Sequence, residues 1–106
     1  RDGVINEDSK KYIKSPEEWL PIPGSIEAIG KLSQNDFQVI VITNQSGIGR
    51  EIISVEMLNE IHKKMNIHVA QYGGIIDAIF FCPCTPEKNC GCRKPRPGAE
   101  WWMSNR

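Results

Sequence analysis

The chain has 106 residues, enough for one domain with a modest core. Its 13 Lys and Arg balance 13 Asp and Glu, so the formal net charge is zero. That excludes a general nucleic-acid binder, whose footprint is a large excess of Lys and Arg, and makes any anion site local. No apolar run is long enough to cross a bilayer. No charged-then-apolar leader opens the chain. The expectation is a cytoplasmic, soluble monomer with no nucleic-acid or membrane partner. The first residue is Arg rather than Met, which reads as a missing or processed beginning.

Residues 1–12, RDGVINEDSKKY, read as a loop, because Gly3, Asn6, Asp8 and Ser9 are turn residues. Ser15-Pro16-Glu17-Glu18 reads as a helix start: a serine cap, a proline at the first position, and two acids at the positive end of the dipole. Pro21 and Pro23 stop it within a turn or two. A second helix begins at Gly24-Ser25, carries Ile26, Ile29 and Leu32 at helical spacing, and ends near Asn35-Asp36. Residues 37–43, FQVIVIT, form a β-branched run too apolar to leave one face wet, so a buried parallel strand is expected. A polar, glycine-bearing turn, NQSGIGR, follows. Ser54 then caps a long helix with an apolar stripe of Leu58, Ile61, Met65, Val69 and Tyr72, ended by Gly73-Gly74. Residues 75–81 read as a second buried strand, and a last helix is expected after Pro97-Gly98.

This alternation implies a parallel sheet with crossover helices. Ligands of such sheets sit beyond the carboxyl ends of the strands, where the turn at 43–47 and the cysteine-rich segment lie. All four cysteines, Cys82, Cys84, Cys90 and Cys92, fall within that segment as two Cys-x-Cys pairs. They could form disulfides, which suit an oxidising compartment, or hold one Zn²⁺ in a closed tetrahedral site. Nothing in the sequence indicates export, so a structural zinc is expected. Such an ion would stiffen the loop and present Arg93 and Lys94 behind it.

Other residues offer chemistry that is weak one by one. Thr43 to Ser46 could hold a phosphate through a hydroxyl and backbone N–H groups, or be an ordinary strand-to-loop turn. Arg93 and Lys94 could bind an anionic substrate, or be solvated surface charge. Asp2 could be an acid/base, or a turn residue beside Gly3. His62 and His68 read as partly buried, satisfied histidines. Trp101 and Trp102 read as packing on the sheet or as an unpaired surface near the chain's end.

Together, RDGVIN, PGSIEAI, VITNQSGIGR and CPC…CGCRKPRPG resemble, in the right order and along the whole chain, the D,D-heptose 1,7-bisphosphate phosphatases of the haloacid dehalogenase (HAD) superfamily. Histidinol-phosphate phosphatases share the zinc loop, but VIN after Asp-Gly, SGIGR after Thr-Asn-Gln and Pro-x-Pro-Gly after Arg-Lys favour the heptose branch. The resemblance implies an α/β, HAD-like Rossmannoid three-layer fold with a parallel sheet, present incompletely as one partial domain over 1–106, with a zinc-binding loop inserted at 82–92. It implies hydrolysis of the 7-phosphate of a heptose bisphosphate through an aspartyl-phosphate, with catalytic Mg²⁺ and structural Zn²⁺. By the same resemblance Asp2 is the proton donor and acceptor and offers Mg²⁺ its backbone carbonyl. Thr43 and Lys94 stabilise the phosphoryl group, and Asp8, Asn44, Gln45, Ser46 and Arg93 contact the small phosphorylated sugar. Cys82, Cys84, Cys90 and Cys92 ligate zinc, Cys84 standing where many members have His. The family's nucleophilic Asp should precede Arg1 and its last Mg²⁺ ligand should follow Arg106, so a fragment without activity of its own is expected. The alternatives are a histidinol-phosphate phosphatase of the same fold and a non-catalytic, zinc-stabilised binding module.

Overall fold

The computed structural model describes residues 1–85 and the backbone of residues 102–103. A 3₁₀ turn, Pro16–Glu18, precedes helix α1, Ser25–Gln34. Strand β1, Ile40–Asn44, runs into the one-turn helix α2, Ser46–Gly49. Helix α3, Val55–Gln71, leads to strand β2, Ala78–Cys82, and strand β3 is Trp102–Met103.

Helix α3 forms where the sequence predicts it. The Ser54 hydroxyl accepts a hydrogen bond from the Met57 backbone N–H at 3.1 Å, satisfying one of the donors a helix start leaves open. Leu58, Ile61, Met65 and Val69 form its buried stripe. Burying side chains of this size stabilises by about 1.5–3 kcal/mol each relative to exposure. Tyr72, expected to extend the stripe, is the C-cap and half exposed. The chain leaves through Gly73, whose φ of +74° favours glycine. Helix α1 buries Ile26 and Ile29, but Leu32 is exposed. Its Gly30 lies against the Tyr72 carbonyl, so no larger side chain fits between α1 and the end of α3.

Strands β1 and β2 pair in parallel, with Val41 opposite Ile79 and Thr43 opposite Phe81. These four are buried and form the inner row. Two sequence expectations are corrected here. The first is that residues 37–43 form a strand buried on both faces. Ile40 and Ile42 are exposed, as is Phe37, because the helices packed among the described residues cover only the other face. The second is that the sheet is wholly parallel. Strand β3 pairs antiparallel with β2, Phe80 opposite Met103 and Phe81 opposite Trp102. Residues 102–103 are therefore strand rather than part of the expected last helix, whose other residues lie outside the described ones.

The opening loop is tied to the body of the domain. The Glu7 N–H donates to the Leu20 carbonyl (2.8 Å), the Ile22 N–H to the Ile5 carbonyl (2.9 Å), and the Ser25 hydroxyl to the same carbonyl (2.7 Å). Ile5 and Ile13 join the core beside Trp19, which is fully buried. These ties bring residues 1–12 to the carboxyl ends of β1 and β2. Among the described residues no helix is long and apolar enough to cross a membrane.

Candidate active site

The loop at residues 1–6 is a tight turn built on one carbonyl. The Arg1 oxygen accepts from the N–H groups of Val4 (3.1 Å), Ile5 (2.8 Å) and Asn6 (3.3 Å). Gly3 adopts φ +79° within it, a conformation that costs a residue with a Cβ. Asp2 must therefore be followed by Gly if its carboxylate is to be held here. Two hydrogen bonds converge on Asp2 Oδ1, from Arg1 Nε at 2.7 Å and Asn6 Nδ2 at 3.1 Å, and Arg1 Nη2 forms an ion pair with the same oxygen at 2.7 Å. Arg1 and Asn6 are buried, and Asp2 is partly exposed.

Behind Asp2 lies a pair that the sequence did not announce. Arg1 Nη1 points at His62 Nε2 of α3, 3.4 Å away. The two residues are 61 positions apart and no local pattern links them. His62 is fully buried, and burial first, then the Arg1 charge, pushes its pKa down to about 3. It is thus neutral at physiological pH and accepts through Nε2. Burial also lowers the Arg1 pKa, while the charge of Asp2 acts to raise it.

Strand β1 carries the second group of residues. Thr43 is buried, and its hydroxyl accepts from Gln45 Nε2 at 2.9 Å and lies 3.4 Å from the Asn44 carbonyl. The Gln45 N–H donates to the Cys82 carbonyl at 2.8 Å, so the turn after β1 is fastened to the end of β2. Gly49 of α2 lies against the Pro83 carbonyl, leaving no room for a Cβ.

Asp2, Asp8, Asn44, Gln45 and Ser46 line one cavity of about 160 Å³, together with Ser9, Tyr12 and Ile13. Five of the residues expected from sequence are therefore brought together. Thr43 does not line this cavity; it is buried and bonded to Gln45, which does. Ser9 adjoins Asp8, whose neighbours the family resemblance places in a substrate loop; Tyr12 and Ile13 were not named, nor were Arg1, Asn6 and His62 as supports. Burial of a polar pair such as Arg1 and His62 depends on tertiary packing, which periodicity does not report. Arg93, Lys94, Cys90 and Cys92 lie outside the described residues.

The metal expectations differ in their fit. The backbone carbonyl of Asp2 supplies hard oxygen, the donor that Mg²⁺ prefers, beside a carboxylate whose Oδ1 is held by Arg1 and Asn6. Among the described residues no three His, Cys, Asp or Glu side chains cluster as a metal-holding set, so Asp2 is the one oxygen ligand assigned. Cys82 ends β2 and Cys84 follows it, and both are disulfide-bonded. This is the arrangement that the sequence reading placed behind zinc. A bonded sulfur is no thiolate, so in this state the two residues do not fit a zinc site.

Residues 2–105 match the family model of polynucleotide kinase 3 phosphatase. The crystal structure of D,D-heptose 1,7-bisphosphate phosphatase from B. bronchiseptica, complexed with magnesium and phosphate, is similar with a TM-score of 0.89 and 52% identity, over 92% of this chain and 54% of that one. The D-glycero-beta-D-manno-heptose-1,7-bisphosphate 7-phosphatase of Neisseria meningitidis is 52% identical over 98 residues, covering 92% of this chain and 52% of the relative. The D-glycero-alpha-D-manno-heptose-1,7-bisphosphate 7-phosphatase of Mycobacterium tuberculosis is 36% identical over 99 residues, again covering 92% and 52%. The chain spans about half the length of the curated relatives it matches.

Proposed function

This chain belongs to the polynucleotide kinase 3 phosphatase family, and from that premise we propose that the protein carrying it hydrolyses the 7-phosphate of D-glycero-β-D-manno-heptose 1,7-bisphosphate. One observation carries the reading: Asp2, Asn44, Gln45 and Ser46 share a cavity at the strands' carboxyl ends, and buried Thr43 is bonded to Gln45. The β anomer is preferred because identity is 52% to the β-named relative against 36% to the α-named one. Phosphorylated sugars are cell-interior metabolites, which agrees with a cytoplasmic protein.

In this mechanism a carboxylate, expected immediately before Arg1, attacks phosphorus and forms an aspartyl-phosphate. The ester oxygen departs with a proton from Asp2. Asp2 then takes a proton from the water that cleaves the acyl phosphate, which restores both carboxyl groups. Arg1 and Asn6 fix Oδ1 of Asp2, which directs its other oxygen to this task. Thr43 and the turn at 44–46 receive the phosphoryl oxygens, and Arg93 and Lys94 balance their charge. Mg²⁺, which the Asp2 backbone carbonyl would hold in part, would supply further charge neutralisation when bound.

For the cysteine loop we hold to zinc in the reduced protein. Four cysteines as two Cys-x-Cys pairs supply the ligands of a closed tetrahedral site, and a reducing compartment keeps thiols reduced. Metal analysis of the reduced full-length protein should find one Zn²⁺ per chain. Intact disulfides under millimolar thiol, with no bound zinc, would refute this.

The function is tested by phosphate release from full-length protein with Mg²⁺. The β-heptose bisphosphate should be hydrolysed with the highest kcat/KM in a panel containing its α anomer, histidinol phosphate and a 3′-phosphorylated oligonucleotide. Faster release from histidinol phosphate would select the sister activity. Faster release from the oligonucleotide would select the activity in the family's name, which the zero net charge disfavours.

A further inference from the structure

Helix α3 carries a histidine in the middle of its apolar stripe. His62 stands four residues after Leu58 and three before Met65, on the face those side chains bury. An aliphatic residue would suit that position by period alone. The ring there is instead polar and fully buried, an arrangement that costs stability unless its nitrogens are bonded.

The bond on Nε2 is to Arg1 Nη1, 3.4 Å away. A guanidinium has five N–H donors, no acceptor, and stays protonated, so Arg1 donates and Nε2 accepts. The ring proton therefore sits on Nδ1 and the ring is neutral, in agreement with a pKa of about 3.

The other side of the same guanidinium faces Asp2. Its Nε donates to Oδ1 at 2.7 Å, and its Nη2 forms an ion pair with that oxygen at 2.7 Å. Asn6 Nδ2 donates to Oδ1 as well, at 3.1 Å. No hydrogen bond from the described residues reaches Asp2 Oδ2. An arginine beside a carboxylate commonly grips both oxygens with two parallel bonds. Here it grips one. The guanidinium is planar and rigid, so a hold on Nη1 from α3 fixes where Nε and Nη2 point.

We propose that His62 is a positioning residue for the reaction: by holding Nη1 of Arg1 it confines the guanidinium to one oxygen of Asp2 and leaves the other for proton transfer. This rests on the phosphatase reading above. Without the acceptor on α3, the guanidinium turns to take both oxygens, and the carboxylate is tied up. His62 acts on the chemical step through Arg1 and Asp2, so its loss appears in kcat and leaves KM little changed.

The test uses the full-length protein, Mg²⁺ and the β-heptose bisphosphate, well below the unfolding midpoint of every variant. His62→Leu fills the space without an acceptor and should lower kcat about 30-fold, with KM within about twofold. His62→Gln places an amide oxygen near the position of Nε2 and should keep kcat within about threefold of wild type. His62→Asn is one carbon too short to reach Arg1 and should behave like His62→Leu. In an Arg1→Met background, His62→Leu should change kcat by less than about twofold, because the two act as one unit. Nitrogen NMR of the wild-type imidazole should show Nε2 unprotonated at neutral pH. An unchanged kcat in His62→Leu, an equal loss in His62→Gln, losses that multiply in the double variant, or a protonated Nε2 would overturn the proposal. Should His62→Leu not fold, the Gln and Asn pair decides. If wild type releases no phosphate, the phosphatase reading fails and this role with it. If wild type is active while His62→Leu keeps its kcat, only the role of His62 fails.

Discussion

Around Asp2 and Thr43 the structure is held by buried and part-buried bonds, several between residues distant in sequence; around Asp8 and Tyr12 it is held by local bonds, those of the Asp8 and Ser9 side chains exposed. Arg1 reaches His62, Ser25 reaches Ile5, and Gln45 reaches Cys82. The rim bonds join residues one to three positions apart, Asp8 to Ser9, Ser9 to Lys11 and Ser9 to Tyr12. The floor of the cavity therefore cannot move without disturbing the core, which suits groups that must be preorganised for chemistry. The rim depends on local turn chemistry and can vary without unfolding the domain, which suits groups that choose the substrate.

The largest expected effect falls on the floor. In the full-length protein Asp2→Asn should lower kcat about 10³-fold, with KM little changed, because the amide neither donates nor accepts the proton as the carboxyl does. Steady-state phosphate release at saturating heptose bisphosphate checks it. Retention of even a tenth of the activity would show that Asp2 only shapes the turn. Thr43→Val removes a buried hydroxyl bonded to Gln45 and should lower kcat about 10²-fold. A smaller loss would mean that the hydroxyl serves only to hold Gln45.

A third prediction concerns the support behind the floor. His62 has a pKa of about 3 in the fold against 6.5 as its ordinary value. The unfolded chain therefore takes up the proton first as pH falls, and the native state loses stability. The contribution is fully present above about pH 6.5 and declines as pH falls toward 3, by up to about 1.4 kcal/mol per pH unit. Urea unfolding between pH 7 and 5 should show the midpoint dropping on acidification. His62→Gln should flatten that slope, and an equal slope in the variant would remove His62 as its cause.

Sequence reasoning found what local chemistry dictates. The Ser54 cap, the stripe from Leu58 to Val69 and the pairing of the two apolar runs follow from propensity and period. The gathering of Asp2, Asp8, Asn44, Gln45 and Ser46 follows from their place beyond the strands' carboxyl ends and from the family resemblance. Features set by distant packing were not legible. The depth of Thr43, the Arg1–His62 pair and the open face carrying Ile40 and Ile42 depend on which elements cover which. The left-handed φ of Tyr12, +69°, was hidden for another reason: two lysines before a tyrosine carry no turn signal, and the Ser9 hydrogen bonds supply it. The state of Cys82 and Cys84 depends on redox conditions and metal supply, which spacing alone does not encode.

The division between floor and rim is tested most directly by orthophosphate as a competitive inhibitor of the full-length enzyme. Orthophosphate has no sugar, so it engages the floor alone. The account predicts that Thr43→Val raises its Ki about 10-fold or more while Tyr12→Ala leaves it within about twofold. A Tyr12→Ala variant that shifts the orthophosphate Ki as far as Thr43→Val would contradict it.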